Sequence, residues 1–131
     1  MKYILVLLII FLSACQHSAV RSFADRVATA EGLEKTPAGA LFVGALIKEH
    51  VERMNTFANE CYADSALEKD AFTLVADIDI SGMFKNVVIE PESATARCYA
   101  DKFGKLQTNA SRPAGFAEIS FPLVIDVNYI K

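Results

Sequence analysis

Three cysteines, two histidines and a pair of alternate aspartates are the residues of this chain whose types could do chemistry. Cys61 and Cys98 could close a disulfide, hold a metal or present a reactive thiol. No histidine lies near either in sequence, and their spacing resembles no metal knuckle. In an exported chain two such cysteines have one intramolecular pairing open to them, so a Cys61–Cys98 disulfide is expected. Closing that loop would stabilise the fold by about 3–4 kcal/mol if chain entropy dominates. His17 falls in an N-terminal tether, where it is solvated. His50 flanks the apolar stripe of a helix and reads as a packing residue, with no Cys, His or carboxylate at ligand spacing. Asp77 and Asp79 share one face of a strand, where two acids could share a proton or hold a cation. The plainer expectation is a solvated face that discourages edge pairing. Motifs of the GxSxG, HExxH and phosphate-loop kinds do not occur. The chain therefore reads as no enzyme, with no cofactor, metal or catalytic residue expected.

Cys15 carries chemistry of another kind. Lys2, the apolar run from Ile4 to Leu12, and then Ser13-Ala14-Cys15 have the layout of an export signal, with a run too short to span a bilayer. Leu12-Ser13-Ala14-Cys15 resembles the bacterial lipobox, which implies lipidation of the Cys15 thiol and cleavage before it. The expected organisation is a signal peptide at 1–14, a lipid-anchored tether at 15–38 and a domain at 39–131. Val20, Phe23, Val27 and Ala28 stand at helical spacing, so the tether has some helix and either stays free or docks on the domain through Phe23. The acyl chains, at about 0.8 kcal/mol per buried methylene, would hold the chain to a membrane. Gln16 is not the aspartate that usually retains such proteins at the inner membrane. The expected address is therefore the periplasmic face of the outer membrane.

What must position these residues is one small domain, because 131 residues do not suffice for two cores beyond the signal and tether. A net charge of −3, without clustered Lys or Arg, excludes nucleic acid as a partner. Thr36-Pro37 is a helix start, the threonine capping and the proline fitting the first turn. Val43, Ile47, Val51, Met54, Ala58 and Cys61 then recur at helical spacing, predicting one long helix to Tyr62 with that stripe inward. From Ala71 the period becomes two: Phe72, Leu74, Ala76, Ile78 and Ile80 on one face, Thr73, Val75, Asp77 and Asp79 on the other. Ser81-Gly82 turns the chain into a second strand, Met83 to Glu90, where a bulge near Asn86 would restore the inward register of Phe84, Val87 and Ile89. Ser93 caps a second helix over Ala94 to Leu106. A loop follows, and a closing strand, Ile119 to Ile130, carries Leu123, Ile125, Val127 and Tyr129 inward. Pro122 marks that strand's start, an edge or a bulge.

This order resembles the C-terminal domain of TonB-type energy transducers over about residues 40 to 130. The hairpin from Ile78 to Ile89, with its Gly82 turn, carries most of the resemblance, and Pro113-Ala114-Gly115 before a terminal strand also fits. Cys61-Tyr62 and Cys98 are similar to a variant seen in gliding-motility proteins. The resemblance implies an α+β fold: a three-stranded antiparallel sheet, made of the hairpin and the C-terminal strand, packed against two helices on one face. It also implies a sheet edge used for binding.

The expected function is a non-catalytic binding or scaffold module of an envelope system, with an envelope protein as partner. A partner strand would add at the closing strand, beside Leu123, Ile125, Val127 and Tyr129. The alternative is a periplasmic inhibitor or immunity-type lipoprotein, whose acidic surface plugs a toxin or cell-wall hydrolase.

Overall fold

The computed structural model describes residues 21–63, 71–117 and 119–128. Cys15, His17 and Tyr129 lie outside them. Among the described residues the order is α1 (Phe23–Glu34), α2 (Pro37–Tyr62), β1 (Phe72–Ile78), β2 (Phe84–Glu90), α3 (Ala94–Phe103) and β3 (Phe121–Val127). The strands make one antiparallel sheet in the order β2-β1-β3, so the α+β class read from the sequence is the fold observed.

α2 begins as its sequence dictates. The Thr36 hydroxyl accepts from the Gly39 N–H and donates to the Leu33 carbonyl, and Pro37 occupies the first turn. Gly39 is required at this corner, since a Cβ there would lie 2.0 Å from the Leu33 oxygen. The expected stripe is inward in part: Cys61 is buried, and Val43, Met54 and Ala58 pack against the core. Ile47 and Val51, however, are 47% and 41% exposed. The buried face is centred on Phe42, Leu46 and His50 instead, one residue ahead of Val43, Ile47 and Val51, a step of about 100° around the helix. The bulk of Phe42 and Leu46 sets the rotation and takes His50 inside.

β1 is the central strand. Phe72, Leu74, Ala76 and Ile78 enter the core under α2 and α3, each large apolar side chain contributing about 1.5–3 kcal/mol on burial. Ile80 lies beyond the strand and is exposed. The opposite face is not the solvated one expected. Val75 is 1% exposed, because α1 packs against β3 and β1 on that side and Arg26 pairs with Asp77 at 3.4 Å. Residues 23–34, expected within the tether, therefore belong to the domain, and a third helix covers the sheet's second face. Small residues such as Ala30, which is fully buried, let α1 sit close but leave little apolar periodicity to read.

The bulge forms where the sequence called for it. Val75 faces Val88 but Asp77 faces Lys85, so β2 holds one residue more than β1 there. Asn86 takes it up with a φ of +50°, and Phe84 and Ile89 both reach the core. Cys61, at the end of α2, is disulfide-bonded to Cys98 in α3 across a Cα–Cα distance of 5.7 Å. Tyr62 and Tyr99 are buried beside it, and burial, with Tyr62 adding, pushes the Tyr99 phenol up to about 12. α3 ends at Phe103, before the expected Leu106, with Gly104 as its C-cap.

Candidate functional site

β3 is an edge strand, and its hydrogen-bonding alternation can be read from Pro122. Proline has no N–H to give the ladder, so its position faces away from β1, and alternation turns the N–H groups of Val124 and Asp126 outward too. Leu123, Ile125 and Val127 consequently bond to β1. The outward edge borders a cleft of about 380 Å³ between β3 and α2. Leu46, Ile47, His50 and Met54 form its helical wall, Leu123 and Ile125 its strand wall, and Phe84, Phe103 and Leu106 also line it. Ile47 is at the rim because of the rotation of α2 described above. Apolar surface beside outward backbone donors is what a docking strand requires, and here the Val124 donor is held by the Glu34 carboxylate, a side chain that can move aside.

The end of α1 brings acids to the same place. Glu31, Glu34 and Asp126 all line the cleft, and none of the ion pairs among the described residues involves them. Burial raises the Glu34 carboxyl above its ordinary value. The Val124 backbone N–H acts the other way, and the charges of Glu31 and Asp126 raise it further. Glu34 Oε1 is buried and without a hydrogen-bond partner among the described residues, and so is His50 Nε2. His50 is 4% exposed, packs edge-on against Phe84 and stands 3.7 Å from Glu49. Burial holds its imidazole below the ordinary value, with Glu49 pulling it upward. It is a core histidine that also lines a cleft.

The aspartate pair is engaged elsewhere. Asp77 pairs with Arg26 and accepts from the Asn86 amide. Asp79 accepts from the Ser81 hydroxyl and from the N–H groups of Ser81 and Met83, closing the hairpin turn. Those bonds, led by the Ser81 hydroxyl, hold its carboxyl below the ordinary value. Among the described residues no group of three or more His, Cys, Asp or Glu could hold a metal ion. No helix among them is long and apolar enough to cross a membrane.

Of the residues expected at a binding edge, Leu123 and Val127 are buried in the core, Ile125 is half-buried against it, and Tyr129 lies outside the described residues. The strand is the expected one, but its outward groups belong to Val124 and Asp126. Sequence reasoning missed two residues that shape this end of the molecule. The Arg112 guanidinium bonds the carbonyls of Ile78, Asp79, Phe116 and Ile119, pinning the loop ahead of β3. Glu49 accepts from the Thr108 hydroxyl and the Asn109 N–H; chiefly the Thr108 bond lowers its pKa. An arginine beside proline in a polar loop was the available signal for the first; nothing local marks the second. No protein-family model, curated protein or solved structure matches the chain.

Proposed function

We propose that this chain is a lipid-anchored, non-catalytic protein-binding module of a bacterial envelope. Cys15 holds it at the periplasmic face of the outer membrane, and an envelope protein adds a strand along β3. The observation that carries the reading is the β3 edge, with outward donors at Val124 and Asp126 beside an apolar cleft. Backbone hydrogen bonds would supply affinity and the cleft would select side chains. The lipobox-like Leu12-Ser13-Ala14-Cys15 and the resemblance to the TonB C-terminal domain agree with it. For the inhibitor reading, Asp77 and Asp79 are already bonded within the fold, which leaves Glu31, Glu34 and Asp126 as its acidic surface.

Photo-crosslinking in cells tests the edge. A crosslinker at Val124 should capture one defined envelope protein, and one at the exposed Val88 of β2 should not. Val124→Pro removes an outward donor and its bond to the Glu34 carboxylate, and should abolish capture at a neighbouring crosslinker while costing about 1–2 kcal/mol of stability. Ile125→Pro breaks the ladder to β1 and should cost about 3 kcal/mol, so it serves as the folding control. Capture only at Val88, or capture indifferent to Val124→Pro, would overturn the reading. Cys15→Ser should separately abolish acyl labelling and release the protein from membranes.

A further inference from the structure

We infer that the strand received at β3 belongs to a partner protein and alternates apolar side chains with at least one lysine or arginine, the cation seating among Glu31, Glu34 and Asp126. This rests on the edge reading above and adds the chemistry of the docking strand.

The argument is one of alternation. Side chains of a strand added to β3 point by turns to the two faces of the sheet. On one face they would meet Leu123, Ile125 and the α2 wall of Leu46, Ile47 and Met54, all apolar. On the other they would meet Val124, Asp126 and the end of α1, where Glu31 and Glu34 stand. The two faces therefore ask for opposite chemistries on alternate residues.

Charge supports the second half. The three carboxylates have no cationic partner among the described residues. Asp126 accepts from the Thr73 hydroxyl and Glu34 from the Val124 N–H, while Glu34 Oε1 is left without a hydrogen bond. A half-buried carboxylate facing like charges is stabilised when a cation arrives. The group could not hold a metal ion, so an ammonium or guanidinium from outside fits better. His50, more than nine-tenths buried, lines the apolar wall of the cleft; its Nε2 makes no hydrogen bond and stands 3.7 Å from Glu49. A second copy of the chain is the poorer occupant, since β3 paired with β3 would bring another Asp126 to the acids.

The test is titration of the full-length, isotope-labelled protein in detergent micelles, read by amide NMR. The probes are synthetic heptapeptides Val-Thr-Val-X-Val-Thr-Val with X as Lys, Gln or Glu. The Lys peptide should shift the Val124 and Asp126 amides and bind about tenfold more tightly than the Gln peptide, with the Glu peptide weakest. Glu31→Gln with Glu34→Gln should erase the Lys preference and leave Gln-peptide binding intact. Should that variant misfold, salt serves instead: raising ionic strength should weaken the Lys peptide alone. Equal binding of the Lys and Gln peptides at the β3 amides overturns the cation and leaves the edge reading standing. Shifts elsewhere, or none with any peptide, overturn both.

Discussion

The two edges of the sheet meet the same hazard in different ways. Any edge strand exposes unpaired backbone groups that invite a foreign strand. At the start of β2 they are covered by the chain itself: Met83 bridges to Gln107, Phe84 N–H bonds the Leu106 carbonyl, and Gln107 holds the Ser81 carbonyl beside them. The Asn86 bulge then twists the strand away from regular pairing. On β3 the protection amounts to one proline and a carboxylate. Backbone cover is fixed by the fold, whereas a side chain such as Glu34 moves aside by changing rotamer. The edge closed by backbone serves stability, and the edge closed only by a side chain is free to serve binding.

The largest expected effect comes from unfastening the closed side. The disulfide ties α3, which packs on β2, to α2, so Cys98→Ala should cost about 2–5 kcal/mol in denaturant unfolding. Amide exchange should quicken in α3 and β2 more than in β3; uniform quickening would mean that the two sides are one cooperative unit. Next is Gly82→Ala. Gly82 has a φ of +82°, and a Cβ there would lie 2.2 Å from the Thr108 oxygen, so the covering loop must lift. A loss of about 2–3 kcal/mol is expected in thermal unfolding, with the β2 edge becoming open to exchange.

The smallest effects distinguish the edges by sign. Glu34, beside β3, has a native pKa above the ordinary 4.5. As the pH rises through 4.5 the unfolded chain loses its proton first, so ionisation draws stability away from the native state. Glu34→Gln should raise the melting temperature at pH 7, and the gain should vanish below pH 4.5. Glu49, anchoring the loop over β2, has a native pKa below 4.5. It contributes stability above that value and loses it as the pH falls through the lowered native one. Glu49→Gln should therefore lower the melting temperature at pH 7, with the deficit fading in acid. Melting curves that moved the same way for both variants would dissolve the contrast between the edges.

Whatever is settled within a few residues or by bare counting was legible along the chain. Thr36-Pro37 capped α2, Ser93 capped α3, Asn86 fell at the bulge, and the two cysteines had one way to pair. In each case the deciding interaction spans a turn, a register step or a single possible partner. Packing decided the centre of the buried face of α2, where Phe42, Leu46 and His50 are enclosed and Ile47 and Val51 of the expected stripe are left outside. It also decided between a free tether and a docked one for residues 23–34, which join the core: small side chains gain their burial from closeness to the sheet, and the faint spacing of Phe23, Val27 and Ala28 fits either. The candidate site belongs to this second kind throughout. Glu31, Glu34, His50, Ile125 and Asp126 come from three elements and signal nothing together along the chain. Their common cleft exists because α1 and α2 flank the edge strand β3, and that placement is a property of packing.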